Sequence, residues 1–129
     1  MPTVDPALTM LAQCRAYLLP HPVPELRWHP KRKWRWDWAW PDCLIAIEVQ
    51  GGTWTAGKHG RGAGLAGDRD KLNHAALMGW TVLQYTPAEM AAGAWITQWC
   101  DAFDLWVVKL APFLAEDRIT IPAHLRGVK

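Results

Sequence analysis

The sequence has few of the features that mark secreted or membrane-bound chains. Its three cysteines, Cys14, Cys43 and Cys100, lie far apart without a CxxC pair, which argues against a disulfide framework and gives a zinc site little support. No apolar run reaches the ~20 residues that a membrane helix needs, and the first residues lack the basic and apolar segments of a signal peptide. We therefore expect buried free thiols, no membrane partner and a cytoplasmic location.

The chain also has little excess charge of either sign, with a formal net charge of +2. Its basic residues are nevertheless concentrated in the middle third: Arg27, Lys31, Arg32, Lys33, Arg35, Lys58, Arg61, Arg69 and Lys71. This distribution favours a polyanionic partner. A solvated surface of mixed charge is an equally open alternative.

The length of 129 residues predicts a single domain, 1–129, with a core of about residues 5–110 and a C-terminal tail over 111–129. Asp5 followed by Pro6 indicates the start of a helix, Gly79 indicates the end of another, and seven of the ten glycines lie in one long loop, 51–67. The predicted elements are a helix after Pro6, a short strand at 25–28, strands at 33–40 and 44–50, a helix at 68–78, a strand at 80–85 and a helix from 86 to about 110. This order predicts a small mixed α/β domain in which helices cover a short sheet.

The stretch KWRWDWAW, residues 33–40, has a tryptophan at every second position. Because alternate side chains of a strand point to opposite faces, we expect all four tryptophans on one face and Asp37 on the other. Proline and aspartate follow, and a four-residue turn at 41–44 would make this run one arm of a β-hairpin. The cross-strand pairs expected from that turn are Trp40 with Ile45, Trp38 with Ile47, Trp36 with Val49, and Asp37 with Glu48.

Two facing carboxylates, with β-carbons about 5 Å apart, repel each other and raise the pKa of one of them. A cation between Asp37 and Glu48 would remove this repulsion. Arg35 is one candidate, and a hard divalent cation such as Mg²⁺, which takes one or two protein carboxylates, is the other. Gln50 would lie on the same face. The alternative is a solvated polar face on which Asp37 and Arg35 are ordinary surface charges.

The residues around this hairpin resemble a known family. The runs RWHPKRKWRWDWAWPDCLIAIEVQGGTW, KHGRGAG and DRDKLNHAALMGWTVLQYT are similar to small phage and prophage nucleases of the PD-(D/E)XK superfamily. They resemble more distantly the Holliday-junction resolvases, the VRR-type nucleases and the very-short-patch-repair-like endonucleases. The resemblance covers roughly residues 25–86. It implies a restriction-endonuclease-like core, that is, a short mixed sheet with a central β-hairpin flanked by helices.

The resemblance also implies a metal-dependent DNA endonuclease that hydrolyses phosphodiester bonds. Asp37 and Glu48 would be the metal-binding carboxylates, the main-chain carbonyl of Val49 a further ligand, and Glu25 an additional acidic candidate. The implied cofactor is Mg²⁺, with Mn²⁺ as a substitute. If the chain is encoded by a phage, its location is the cytoplasm of the bacterial host.

The sequence departs from the family at Gln50, where the usual residue is a lysine that orients water and stabilises developing charge. Glutamine can hold a water but carries no charge. Lys58, His59 and Lys71 are candidates for a relocated cation or a general base, and Lys71 is the best placed because the helix that follows the glycine loop packs beside the carboxylates in such families. Lys71 and Asp68 share one helix face, so an ordinary surface ion pair between them is an open alternative.

We expect DNA contacts from basic residues that flank the carboxylate face: Arg27, Lys31, Arg32, Lys33, Arg35, Lys58 and Arg61. Trp28 and Trp54 are candidates for stacking on an unpaired base, with burial in the core as the favoured alternative. No sequence-reading module is visible, which favours cleavage directed by structure, on branched or Holliday-junction-like DNA during phage recombination, repair or packaging. A homodimer through the apolar C-terminal helix is a further expectation. The competing hypotheses are a catalytically impaired protein that binds nucleic acid without cutting it, and a helper or interaction module that holds no metal.

Overall fold

The computed structural model describes residues 5–51 and 63–115. Their elements in chain order are helix α1 (Pro6–Tyr17), strands β1 (Val23–Arg27), β2 (Arg35–Trp40) and β3 (Ile45–Val49), helix α2 (Ala63–Leu77), strand β4 (Thr81–Tyr85), and helices α3 (Pro87–Ala91) and α4 (Trp95–Ala115). The expected mixture of helices and strands is therefore present. None of the described helices is long and apolar enough to span a membrane.

The four strands form one open sheet in the order β1-β2-β3-β4. The pairs β1–β2 and β2–β3 are antiparallel, and β3 and β4 are parallel. Parallel neighbours need a crossover connection, which here includes α2. The prediction of a short mixed sheet with a central hairpin and flanking helices is confirmed.

Several helix ends follow from local chemistry, as the sequence indicates. The Asp5 carboxylate accepts a hydrogen bond from the Ala7 amide at 2.9 Å and Pro6 occupies the first turn. Thr86 and Glu89 form a capping box at the start of α3. Gly79 follows α2 with a φ of 87°, a conformation that glycine adopts without strain.

Other boundaries differ from the predictions. The helix expected from 86 to about 110 is divided into α3 and α4, because Gly93, at a φ of 77°, turns the chain between them. Helix α4 then continues to Ala115. Helix α2 begins at Ala63, inside the predicted glycine loop, since each glycine costs a helix only about 1 kcal/mol. Positions 52–62 of that loop lie outside the described residues.

The sheet has a buried cluster on each face. Trp40, Ile45 and Ile47 belong to the cluster that includes Trp95 and Trp99 of α4, and Trp38 packs against it. Trp36 belongs to the other cluster, with Trp28, Ala39, Ala46 and Ala75 of α2, and Trp34 packs against that one. The prediction that the four tryptophans share one face is therefore wrong, because they are divided two and two.

The division arises from an interruption of the pairing between strands at Asp37. The pairs Trp40 with Ile45 and Trp38 with Ile47 form as predicted, but the ladder between β2 and β3 stops there, and the expected pair of Trp36 with Val49 is absent from it. On the other side of β2, Glu25 has a φ of 52° and drops out of an otherwise continuous register. A break of this kind shifts the alternation of side chains by one position, so Trp36 turns toward α2.

Candidate carboxylate and lysine site

Asp37 and Glu48 meet where the ladder between β2 and β3 is interrupted. The Val49 amide donates to Asp37 Oδ2 at 2.7 Å, and the Asp37 amide donates to Glu48 Oε1 at 3.1 Å. The two carboxylates thus accept from backbone N–H groups of the opposing strand, which regular pairing would otherwise satisfy. The prediction of a simple cross-strand pair is corrected: these residues are joined through side-chain-to-backbone hydrogen bonds.

Lys71 of α2 supplies the cation beside Glu48. Its Nζ donates to Glu48 Oε2 and to the main-chain oxygen of Arg35, each at 2.8 Å. It also lies 4.7 Å from the centroid of the Trp36 ring, in cation–π range. The Lys71 and Glu48 side chains are only 16% and 25% exposed, so water screens this pair less than a typical surface pair. Of the two alternatives for Lys71, the structure shows the contact with the carboxylate Glu48 and, among the described residues, no ion pair with Asp68.

The pKa of Glu48 is raised above its usual value, mainly because burial disfavours the charged carboxylate. The Asp37 charge raises it further, as expected for two adjacent carboxylates. The ion pair and hydrogen bond with Lys71, and the hydrogen bond from the Asp37 amide, act in the opposite direction. Some neighbours of Glu48 therefore raise its pKa and others lower it. Carboxylates with perturbed pKa values are common at functional sites.

The expected extra acid, Glu25, lies on the exposed edge strand and lines a pocket of about 980 Å³ together with Asp37. The pocket wall between α1, α3 and the sheet is largely apolar and includes Met10, Trp38 and Val49. Its charged lining is acidic, from Asp5, Glu25 and Asp37. Asp37 is therefore reachable from solvent through this pocket, which lies across the sheet from α2.

The donor set at the break fits a hard divalent cation. Within residues 5–51 and 63–115, no three His, Cys, Asp or Glu side chains converge as a ready-made set of metal ligands. Mg²⁺ does not require such a set, because it binds through one or two carboxylates and retains several waters. Asp37 and Glu48 would be these two carboxylates, and they lie close together because the Val49 amide next to Glu48 donates to Asp37.

Gln50, which occupies the position of the expected lysine, is engaged with β4. Its main-chain N–H donates to the main-chain oxygen of Tyr85 at 2.7 Å, and its side-chain Nε2 donates to Oε1 of Gln84. Gln50 thus contributes a polar, uncharged surface at the end of β3. The positive charge at the carboxylates comes from α2 instead, through Lys71.

Most of the expected DNA-binding residues are on the surface. Arg27, Lys31, Lys33 and Arg35 are exposed. Arg32 is also exposed, pairs with Asp70 at 2.9 Å and lies over the Trp34 ring. Lys58, His59, Arg61 and Trp54 lie outside the described residues. Trp28 is 8% exposed and stacks on Trp36 at 4.6 Å between centroids, so it belongs to the core.

Sequence reasoning missed a polar cluster beside this site. His29 Nε2 lies 3.2 Å from His74 Nδ1, and Asp70 contacts both His74 and Arg32. His29 and His74 are 45 positions apart, so no local spacing could have indicated the contact. A partial signal was the i, i+4 placement of Asp70 and His74 on α2.

Comparison with known proteins gives a short match. Two proteins of Mycobacterium tuberculosis, from strains CDC 1551 / Oshkosh and ATCC 25618 / H37Rv, are each 31% identical to this chain over 80 residues and are described as uncharacterized. The match covers 57% of this chain and 28% of each relative, so the chain corresponds to little more than a quarter of their length. No family model and no solved structure matches this chain.

Proposed function

We propose that this protein is a metal-dependent DNA endonuclease with a restriction-endonuclease-like core. The observation that carries the proposal is the convergence of Asp37, Glu48 and Lys71. Two carboxylates from adjacent strands meet at a break in the sheet, and a lysine from the following helix lies 2.8 Å from one of them. This arrangement places a cation beside the carboxylates although residue 50 is a glutamine.

Each residue has a separate task in this proposal. Asp37, Glu48 and the Val49 main-chain oxygen would hold Mg²⁺, or Mn²⁺ in its place. The bound ion would lower the pKa of a water and offset negative charge on the phosphodiester. Lys71, held by Glu48 and the Arg35 carbonyl, keeps a positive charge beside the reacting phosphate, where fixed charges stabilise the transition state most effectively.

The exposed basic residues support DNA as the proposed substrate. Arg27, Lys31, Lys33 and Arg35 lie on β1, β2 and the segment between them, close in sequence to Asp37. Contacts of this type go to phosphates and carry no base information. We therefore propose cleavage directed by DNA structure, on branched or Holliday-junction-like substrates in phage recombination, repair or packaging, by a protein of the bacterial cytoplasm. A homodimer that cuts two strands belongs to the same proposal.

A second candidate is a protein that binds nucleic acid without cutting it. Two observations favour it. The side chain of Gln50 is turned to Gln84 and brings no charge to the carboxylates. In addition, Lys71 already neutralises Glu48, so the site holds together without a metal. Such a protein would use the same exposed basic residues for phosphate contacts.

Incubation of the protein with four-way, flap and linear DNA in Mg²⁺ or Mn²⁺ separates the two candidates. We expect wild type to cut branched DNA, and Asp37→Asn and Glu48→Gln to abolish cutting while DNA affinity, measured by fluorescence anisotropy, stays near that of wild type. Lys71→Met should lower the cleavage rate by about 10²- to 10³-fold, the usual cost of losing one group that stabilises transition-state charge.

The matched control is Lys109→Met, which removes an exposed lysine of α4 and should leave cleavage unchanged. Binding without cutting by wild type in either metal would overturn the nuclease proposal and support the second candidate. Cutting that survives Asp37→Asn and Glu48→Gln would show that the chemistry lies elsewhere on the molecule.

A further inference from the structure

The segment between β1 and β2 is joined to α2 by a series of hydrogen bonds and ion-pair contacts that begins at His29. The amides of Lys31 and Arg32 both donate to His29 Nδ1, at 3.1 and 3.0 Å. A ring nitrogen that accepts two N–H donors carries no proton. Neutral His29 therefore holds its proton on Nε2 and donates it to His74 Nδ1 at 3.2 Å.

The series of contacts continues through α2 and returns to its starting segment. Because His74 accepts at Nδ1, its own proton is on Nε2, which lies 3.5 Å from Asp70 Oδ1. The other oxygen, Asp70 Oδ2, accepts from Arg32 Nη2 at 2.9 Å. His29, His74, Asp70 and Arg32 thus form a closed ring that joins the β1–β2 segment to α2 at two points. We call this set of four residues the histidine clamp.

The histidine clamp is adjacent to Lys71. Asp70 precedes Lys71 directly, and His74 lies three positions after it, on the same side of α2. Lys71 has to reach two acceptors on the sheet, the Arg35 carbonyl and Glu48 Oε2. Whether Lys71 reaches both acceptors depends on the rotation of α2 about its axis and on the distance between α2 and the sheet.

We propose that the histidine clamp positions Lys71 against Glu48 and Trp36. In this proposal His29, His74, Asp70 and Arg32 are positioning residues, because they act through Lys71. The directional contact between the two histidines sets the orientation of α2, and the Arg32–Asp70 ion pair binds the same turn of α2. The proposal rests on the proposed function only for why the position of Lys71 matters, since the positioning itself is a property of the free protein.

A purely structural role would fit these residues poorly. Their side chains are well exposed, at 53% for Arg32, 43% for Asp70 and 39% for His74, and exposed ion pairs contribute little to folding. The base of the segment is held independently, by the stacking of Trp28 on Trp36. Loss of the clamp should therefore leave the protein folded and change the placement of Lys71.

Proton NMR of the metal-free protein tests this directly. Lys71 Nζ lies over the Trp36 ring, so we expect the ring current to shift the Lys71 ε-methylene signals upfield of those of exposed Lys109. His74→Phe keeps an aromatic ring beside Trp34 and removes the acceptor for His29. We expect the Lys71 signals in this variant to move back toward those of Lys109. His74→Asn, whose side-chain oxygen can stand in for Nδ1, should restore the upfield shift.

An unchanged Lys71 shift in His74→Phe would overturn the proposal, as would a His74→Asn variant that behaves like His74→Phe. If His74→Phe does not fold, Asp70→Asn gives the same test, because it weakens the ion pair between Asp70 and Arg32. The proposal requires that the Lys71 signals lose their upfield shift in this variant and fails if the shift is kept. This readout needs neither DNA nor metal. A protein that cuts no DNA can therefore still support the clamp, and an active nuclease whose Lys71 signals do not move refutes it.

Discussion

The two faces of the sheet are packed in different ways. On the face toward α1 and α4, large side chains meet large side chains, and Trp95 and Ile47 are fully buried. On the face toward α2, the indoles of Trp28 and Trp36 pack with three alanines, Ala39, Ala46 and Ala75. The first face holds most of the core volume. The second leaves room for two stacked indoles and carries the ionisable residues at its rim.

This contrast separates the residues that hold the core from those that surround Lys71. Lys71, Asp70 and His74 all project from α2, and the groups they contact lie on β2, β3 or the β1–β2 segment. The α4 face has no ion pair among the described residues. Changes on the α4 face should therefore alter folding first, and changes at the rim of the α2 face should alter the site first.

Replacement of Trp95 by alanine should have the largest effect on stability. Trp95 is fully buried, and truncation of a buried tryptophan lowers the free energy of unfolding by about 3–5 kcal/mol. Urea unfolding monitored by far-UV circular dichroism would measure it. Leu105→Ala is the control on the same helix, because Leu105 is 62% exposed and its truncation should cost less than about 0.5 kcal/mol. Equal losses in the two variants would contradict the described packing of α4.

Overpacking the α2 face should have a smaller effect. Ala75 has no exposed surface, and an added pair of methyl groups in Ala75→Val should destabilise the protein by about 1–3 kcal/mol. Ala76→Val is the matched control, since Ala76 is exposed and both substitutions carry the same cost in helix propensity. The difference in free energy of unfolding between the two variants measures the cost of overpacking alone. No difference would mean that α2 does not pack closely against Trp28 and Trp36.

Removal of the Gln13 amide should test the link between α1 and the α4 face. Gln13 Oε1 accepts from Trp95 Nε1 at 2.9 Å, and its Nε2 donates to the Met90 carbonyl at 3.0 Å. Gln13→Leu leaves these groups without partners and should cost about 1–3 kcal/mol. In a Trp95→Phe background the indole donor is already gone, so the same change should cost less. A double-mutant cycle with no coupling would contradict the hydrogen bond.

The smallest expected effect is the pH dependence of the α2 rim. The pKa of His29 is lowered from its usual 6.5, first by partial removal from water and then by electrostatic interaction with His74, Arg32 and Lys31, while Asp70 acts in the opposite direction. The unfolded chain therefore binds a proton more readily than the folded one. The contribution of His29 to the free energy of unfolding is complete above pH 6.5, the usual pKa, and is lost as the pH falls from 6.5 through the lowered pKa.

His29→Asn, which keeps an acceptor for the Lys31 and Arg32 amides and cannot titrate, is the control for this pH dependence. Its melting temperature should fall less than that of wild type when pH is lowered across the histidine range. Parallel falls in the two proteins would show that other groups account for the acid sensitivity. Such parallel falls would also mean that the two faces of the sheet do not differ in their response to pH.

The candidate site was partly predictable. Asp37 and Glu48 stand in the sequence at positions that a hairpin brings together, and the hairpin register was confirmed at Trp40 and Trp38. The expectation that the helix after the glycine loop brings Lys71 beside the carboxylates agrees with its contact with Glu48. The direction of Trp36 was not predictable, because strict alternation assumes an unbroken strand. The clamp was missed because its histidines are distant in sequence.

What the sequence by itself determined is local. The cap at Asp5, the capping box at Thr86 and the turn at Gly79 depend on neighbours within a few residues, so the residue types alone specify them. Only the tertiary structure decided that the ladder breaks at Asp37, that Trp36 turns toward α2, and that Lys71 closes on Glu48. These contacts join separate elements, and their geometry depends on how α2 packs on the sheet, which no local pattern encodes.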